Sequence, residues 1–418
     1  SFGPFARPDG YWGVNFSNDF LTISGAGDFL GDYTLEAWVF VNAADGNYVE
    51  ITYENVFGGK INVVKINNGT DQNWLFGNNN TPSEVTQTFN TTTFSSNTWT
   101  HIAVVRSSNV VSVYINGVAD SSTPSLSGGV ADFEVIGGGR GLSVGSANLF
   151  QGNISNVRFS SVARYTSNFT PSTSPFSSDA NTDLLTCQSN RFADNSSNAR
   201  IVAPTGNPAV SAFGPFLTSE VYDAAVNGAS AYFDGTGDDL NTPDTSDFGF
   251  GTGAFTWETW IYALDTTGVN SPYIFDFRGG GNTGNGSFYI NNTNSGRLEY
   301  YRGGAIQGNT NVPLNQWVHV ACVRSGTTVK LYQDGVEVGS GTDSANLGGS
   351  GQLFVGDYFG GGGSNFKGYI CDTRIDKGTA IYTSAFTPPT APLTAVTNTK
   401  LLLNMADGQA IDSAAQNN

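Results

Sequence analysis

From Trp317 to Arg324 the chain sets Trp317, His319, Ala321 and Val323 against Val318, Val320, Cys322 and Arg324. A strand has period two, so this run carries apolar weight on both faces and predicts a central strand covered on both sides. The segment HIAVVRSSNVVSVYINGV, His101 to Val118, holds two such runs about a short polar break, with Asn116-Gly117 near its end. Asn-Gly, and Asp334-Gly335 in the matching place later, adopt the positive φ that a two-residue type I′ turn requires, which predicts antiparallel neighbours on either side. Turn signals recur roughly every 8–12 residues and no helical period competes with them. The pattern predicts an all-β chain in which antiparallel sheets pack face to face with jelly-roll connections.

The pattern is written twice. FGPF stands at Phe2 to Phe5 and again at Phe213 to Phe216, followed by VNF at Val14 to Phe16 and AYF at Ala231 to Phe233. LEAWVF from Leu35 answers WETWIY from Trp257, and WTHIAVVR from Trp99 answers WVHVACVR from Trp317. VYINGV from Val113 pairs with LYQDGV from Leu331, and GNISNVRF from Gly152 with GYICDTRI from Gly368. The order holds through ARYTSNFTPSTSP and AIYTSAFTPPTAP, from Ala163 and Ala380, to DLLT and KLLL, from Asp183 and Lys400. A match of this kind predicts two consecutive sandwich domains, 1–211 with an N-terminal FGPF linker and 212–418, divided near Ser211 in TGNPAVSAFGPF. The second copy stops before a linker of its own, so the chain is expected to be a piece of a longer array.

A length of 418 residues suits two domains, each with its own core. The 53 glycines, with aromatics at 13% and charged residues at 13%, fit short strands and many turns rather than disorder. The net charge of −17 repels phosphate backbones and anionic lipid, which excludes nucleic acid as a partner. The acidity serves either solubility or attraction of divalent cations. No apolar run reaches the ~20 residues that cross a bilayer, so no membrane insertion is expected. No leader opens the chain, which begins without Met, and export stays open. Cys187, Cys322 and Cys371 form no CxxC pair and leave an odd thiol, so neither a disulfide nor a zinc framework is indicated, and Cys322 and Cys371, which lie in strands, are read as small buried residues.

The E-x-W strands (Glu36 to Trp38; Glu258 to Trp260), W-x-H-[IV]-A (Trp99 to Ala103; Trp317 to Ala321), the Y-x-[ND]-G hairpin and the G-x-I-x-[ND]-x-R strand together resemble the laminin-G-like branch of the concanavalin-A-like superfamily. The Y-T-S-x-F-T-P tail, Tyr165 to Pro171 and Tyr382 to Pro388, resembles the version in repeat-bearing virion and appendage proteins of marine bacteriophages and in bacterial surface proteins. The resemblance implies a surface-displayed binding or structural module, extracellular or on a virion, whose partners are glycan or another surface ligand and neighbouring subunits. No cofactor is required on this reading.

His101 and His319 sit mid-strand without a nucleophile nearby in sequence, and are expected to be packed and hydrogen-bonded in the sheet. Glu36 and Glu258 are expected to be buried carboxylates, with Arg158 and Arg374 as their partners. The superfamily's glucanases carry E-x-D-x-x-E or E-x-D-x-E, which aligns an acid and a nucleophile on one strand face; neither string is present. No enzyme is expected, the alternatives being a pair of carboxylates assembled from distant loops, such as Glu299 or Asp276, and a spacer without ligand. The resemblance also implies rim calcium, for which Asp234, Asp238, Asp239 and Asp372 of the second repeat are the candidates; the alternative reading is turn-forming Asp. Trp74, with Tyr300, Tyr301 and Arg302, lies in Asn/Gly-rich aromatic stretches suited either to stacking on a sugar or to packing.

Overall fold

The alternating pattern is realised as antiparallel strands. The computed structural model describes residues 2–25, 31–42, 49–56, 59–67, 72–78, 86–89, 97–120, 131–138, 150–216, 223–264, 268–269, 271–279, 281, 284–294, 296–361, 363–406, 410–412 and 414. The first half opens with β1 (Gly13–Ser17), β2 (Phe20–Ser24), β3 (Tyr33–Val41), β4 (Val49–Val56), β5 (Gly59–Asn67), β6 (Gln72–Asn78) and β7 (Thr86–Phe89). It continues with β8 (Trp99–Ser107), β9 (Val110–Ile115), β10 (Val118–Ala119), β11 (Ala131–Ile136), β12 (Gln151–Ser160), β13 (Thr182–Thr186), β14 (Ile201–Thr205) and β15 (Ala209–Ser211). The second half has β16 (Ala231–Asp234), β17 (Leu240–Asn241), β18 (Phe255–Ala263), β19 (Tyr273–Gly279), β20 (Ser287–Asn291), β21 (Arg297–Tyr301) and β22 (Ala305–Asn311). Its remaining strands are β23 (Trp317–Ser325), β24 (Thr328–Gln333), β25 (Val336–Thr342), β26 (Gln352–Val355), β27 (Lys367–Lys377) and β28 (Thr399–Leu403). A single helical turn, α1 (Ala224–Asn227), precedes β16.

Among the described residues, no sheet mixes strands from the two halves. In the first half one sheet runs β10-β9-β8-β3-β12-β1-β15, with β13 also on β12, and the other β14-β2-β11-β4-β5-β6-β7. The second half repeats this as β25-β24-β23-β18-β27-β16, with β28 on β27, and β17-β26-β19-β20-β21-β22. Each strand of the second order stands where its counterpart stands in the first, so the matched sequence blocks make the same pairs twice. The chain is a tandem of antiparallel β-sandwiches.

Period two divides the central strands cleanly. Leu35, Ala37 and Val39 of β3 face inward with Ile102 and Val104 of β8, and meet Leu21, Ile23 and Ile136 of the opposite sheet in one core. In the second sandwich Trp257 reaches Phe277 of the smaller sheet at 4.3 Å and Tyr300 at 5.8 Å. The outer face of the larger sheet is buried too, because the chain after β12 or β27 crosses it. Ala163, Tyr165 and Phe169 pack on Ala103, Val105 and Tyr114, and Ala380, Tyr382 and Phe386 on Ala321, Val323 and Tyr332. This cover explains why the W-x-H strand has no polar face.

The compact units are Arg7–Ser219, and Glu220–Asn418 together with Ser1–Ala6. A division at 211/212 therefore differs from the packing at both linkers. Residues 213–216 belong with the first sandwich, where Phe213 packs on Phe40 and Trp99, and residues 2–5 belong with the second, where Phe2 packs on Tyr262 and Trp317.

The hairpin turns fix where the crossing chain lies. Asn116 (φ 48) and Gly117 (φ 78), like Asp334 (φ 47) and Gly335 (φ 76), take the positive φ of a type I′ turn. The Gly117 and Gly335 carbonyls then accept the N–H of Phe169 (2.9 Å) and of Phe386 (3.0 Å). A Cβ on Gly335 would lie 1.8 Å from the Phe386 carbonyl oxygen, whereas one on Gly326 (φ +61) has open space around it. Gly326→Ala is thus expected to cost about 1–2 kcal/mol of conformational strain, and Gly335→Ala at least twice as much. Denaturant unfolding of the two variants checks this; equal losses would contradict it.

Candidate functional site

Two matched clusters of ionisable groups lie between the larger sheets and the chain that crosses them. Strand alternation puts Glu36 and Glu258 on the outward face, where the crossing chain buries both completely. Arg158 donates to Glu36 Oε1 through Nε (2.8 Å) and its Nη2 (2.6 Å), and Arg374 to Glu258 Oε1 at 2.9 and 2.6 Å. On the other oxygen, Tyr165 donates to Glu36 Oε2 and Tyr382 to Glu258 Oε2, each at 2.8 Å. The Nε2 atoms of His101 (3.2 Å) and His319 (3.0 Å) share these oxygens. An ionised carboxylate only accepts, so in this geometry Nε2 carries the imidazole hydrogen. Nδ1 of each ring has no hydrogen-bond partner among the described residues.

The electrostatics follow from this donor set. Burial pushes both glutamates up, but the histidine hydrogen bonds and the arginine charges outweigh it and hold each carboxyl below its ordinary value. Burial, and then the glutamate charge, raise the Tyr165 and Tyr382 hydroxyls, which remain neutral donors. Glu, His and Tyr are the residue types of acid–base chemistry, yet the carboxylates and imidazoles here have zero exposure. The cluster is an ionic clasp between sheet and crossing chain. The Glu–Arg pairing was legible in the sequence; the tyrosine hydroxyls were not, although the repeated Y-T-S-x-F-T-P marks them.

Asn156 and Asp372 hold a second matched position, at a bulge where β12 slips against β3 and β27 against β18. Both take left-handed φ (52° and 54°), which Asn and Asp tolerate best after glycine. Asn156 accepts from Phe176 N–H at 3.0 Å, and Asp372 from Leu393 N–H at 2.8 and 2.9 Å and from Asn404. This corrects the expected grouping of Asp372 with the rim aspartates. Lys367 pairs with Asp234, and Asp372 stands five residues further along β27, roughly 16 Å away at strand spacing. At the rim, Asp234 accepts from the Thr236 N–H (2.7 Å) and hydroxyl (2.6 Å), Asp238 from Asp234 N–H (2.9 Å), and Asp239 from Asn241 (2.6 Å). These are turn contacts. The four carboxylates do not make one ligand set, and among the described residues no three His, Cys, Asp or Glu side chains are grouped to hold a metal ion.

The aromatic candidates separate likewise. Tyr300 points into the core and donates to Asp343 at 2.6 Å, because the alternation that turns Leu298 and Tyr300 inward turns Glu299 and Tyr301 outward. That corrects Tyr300 as a sugar-stacking residue. Tyr301 is exposed, and Arg302 is bound to the Gly284 and Asn346 carbonyls at 2.8 and 3.2 Å. The Trp74 side chain lies outside the described residues. Cys187, Cys322 and Cys371 are free and buried, and burial pushes all three thiols up.

The outward face of the smaller sheet in the second sandwich carries a feature that single positions did not disclose. Strand register sets Tyr273 opposite Tyr289, Tyr289 opposite Glu299 and Glu299 opposite Gln307, one row across β19, β20, β21 and β22. The two tyrosine rings stack at 4.8 Å. Glu299 accepts from Tyr289, from Gln307, and from Asn291 at 2.7 Å. Beside the row, Arg278 is held by Asp276 (2.8 and 3.1 Å) and the Tyr273 hydroxyl (3.0 Å), with its guanidinium 5.3–5.5 Å from the Tyr273, Tyr358 and Phe359 rings. Tyr273, Arg278, Tyr358 and Phe359 are partly exposed around a buried polar floor. Asp276 and Glu299 thus both lie here, engaged by neighbours. A separate cavity of about 510 Å³ runs along β17, lined by Leu240, Phe248, Leu401 and Leu403 among others.

A family model described as the concanavalin A-like lectin/glucanases superfamily matches residues 15–167 and 234–382. Similar solved structures include the LG4-5 domains of the mouse laminin alpha1 chain, at 11% identity over 94% of this chain and 97% of that one (TM-score 0.28). Domain 4 of an extracellular arabinanase from Geobacillus stearothermophilus, in complex with arabinotriose, is similar at 21% identity over 37% and 76% (TM-score 0.28). A carbohydrate binding module from Bacillus subtilis is similar at 18% identity over 34% and 87% (TM-score 0.22). No curated protein matches the chain.

The two bulge residues differ in charge, and that difference is measurable. Burial pushes the Asp372 carboxyl up to about 7 despite its hydrogen bonds, so between the ordinary 3.8 and about 7 the folded chain holds a proton that the unfolded chain has lost. Stability then falls as pH rises through that window, by at most about 1.4 kcal/mol per pH unit. Asp372→Asn, which installs the residue of the first repeat, is expected to remove this slope and to stabilise the second sandwich at pH 8. Urea unfolding of both proteins across the window checks it; parallel profiles would contradict it.

Proposed function

The chain belongs to the concanavalin A-like lectin/glucanase superfamily, and from that premise we propose that it is a non-catalytic glycan-binding module displayed outside the cell. The row Tyr273–Tyr289–Glu299–Gln307, with Arg278 beside it, carries this reading. Its aromatic faces suit the C–H faces of a sugar ring, and its carboxylate, amide and guanidinium groups suit the hydroxyls. Neighbouring hydrogen bonds fix these groups before any ligand arrives, which lowers the entropic cost of binding.

The same contacts favour binding over turnover. Glu299 is held by three side-chain donors and Asp276 by the guanidinium and backbone N–H of Arg278 and the Phe359 N–H. Neither carboxyl is presented as a free acid or nucleophile. Two sandwiches in tandem and a net charge of −17 suit display on a virion or cell-surface appendage, with neighbouring subunits as further partners. No helix of the described residues is long and apolar enough to cross a membrane.

Affinity electrophoresis through a panel of bacterial and marine polysaccharides tests the proposal. At least one is expected to retard the chain, with Tyr273→Ala and Arg278→Ala each weakening retention tenfold or more, about 1.4 kcal/mol. Retardation by none, or release of reducing ends that ceases in Glu299→Gln, would overturn it.

A further inference from the structure

Each larger sheet bears an aromatic ledge on its outward face, at the end where the W-x-H strand begins. In the first sandwich Phe40 and Trp99 are strand partners. Phe213 of the following FGPF segment sits 4.9 Å from Phe40 at 87° and 5.2 Å from Trp99 at 39°, while Phe216 meets Trp38 at 5.7 Å and 77°. In the second sandwich Tyr262 and Trp317 form the same pair. Phe2 sits 5.0 Å from Tyr262 at 77° and 5.4 Å from Trp317 at 40°, with Phe5 5.8 Å from Trp260 at 83°. The two seats agree within half an ångström in distance and about ten degrees in angle at each of the three contacts.

What differs is the route by which the motif arrives. Phe213 comes directly off β15, which is itself paired to β1 of the same sandwich. Residues 2–5 enter the second sandwich from the opposite end of its sequence, about two hundred residues upstream. They are anchored there by side-chain donors from Asn227 to the Phe5 carbonyl (3.2 Å) and from Ser230 to the Phe2 carbonyl. The ledge therefore recognises FGPF without needing it continuous with the sandwich that it covers.

We propose that the ledge of the second sandwich is a docking site for residues 2–5 of a second copy of this chain, so that copies join head to tail by exchanging the FGPF segment. The contacts made within one copy and between two copies are the same, and the tether's effective concentration alone sets which forms, the condition under which an identical element is exchanged between protomers. A segment of four residues that half-buries Phe2 on the Tyr262–Trp317 pair and Phe5 on Trp260 needs no rearrangement of either sandwich to change partner.

Two variants of the full chain separate donor from acceptor. Phe2→Ala/Phe5→Ala keeps the ledge and loses the segment; Tyr262→Ala/Tyr369→Ala, the second ring also lying against Phe2 at 4.9 Å, keeps the segment and trims the ledge. By sedimentation velocity at up to roughly 100 μM, each variant alone is expected to remain a monomer and their mixture to form a 1:1 heterodimer. A labelled peptide of residues 1–10 serves as a second donor independent of the folding of the trimmed variant. It is expected to bind the Phe2→Ala/Phe5→Ala chain at least tenfold more tightly than the unaltered chain, whose ledge is filled. A mixture of two monomers with no peptide binding, association of either variant alone as strong as that of the mixture, or peptide binding without a heterodimer would each overturn the proposal.

Discussion

A glutamate on the outward face of a central strand, with no exposure at all, is the constraint on which each sandwich is organised. A buried carboxylate is costly unless its lone pairs are met, and a single missing partner leaves most of that cost standing. Glu258 meets the requirement with Arg374 from the adjacent strand, His319 from the strand on its other side, and Tyr382 from the chain that crosses the face. Three elements distant in sequence are thereby brought to one point. The crossing chain then stacks Tyr382 on Phe386 at 3.6 Å and buries Ala321 and Val323, which is what allows the W-x-H strand to be apolar on both sides.

Other matched contacts extend the same fastening. Thr256 donates to the Thr379 carbonyl (3.0 Å) and accepts from Ile381 N–H (2.9 Å), as Thr34 does with Val162 (2.8 Å) and Arg164 (2.8 Å). The Asp334 side chain accepts from His319 N–H at 3.0 Å, tying the hairpin turn to the strand that supplies the imidazole. Clasp, threonine lock, turn and bulge occur in both copies with the same geometry. The repeat thus carries one way of covering the outward face of the larger sheet.

Much of the frame was legible because it is local or because it is repeated. Alternation from Trp317 to Arg324 showed a doubly covered strand, Asn116-Gly117 showed the hairpin, and matched Glu and Arg in the two copies showed the ion pair. What escaped depends on register between distant strands. Tyr273, Tyr289, Glu299 and Gln307 share no periodicity in sequence and meet only because β19 to β22 pair as they do. Asp372 looked like a rim ligand, but its left-handed backbone at a bulge is visible only once β27 is laid against β18. Tyr300 could have been separated from Tyr301 by period two alone, since consecutive strand residues face opposite ways. The seat of residues 2–5 on the second sandwich escaped because a linker motif carries no sign of which copy it will cover.

Arg374→Ala tests most directly whether the clasp governs the cover. If it does, calorimetric unfolding should show the second sandwich destabilised by about 3–5 kcal/mol with the first unchanged, and amide exchange should quicken through residues 380–393 before the strands of that sheet. A loss within about 0.5 kcal/mol, the ordinary range for a surface change, with protection of 380–393 retained, would contradict the account.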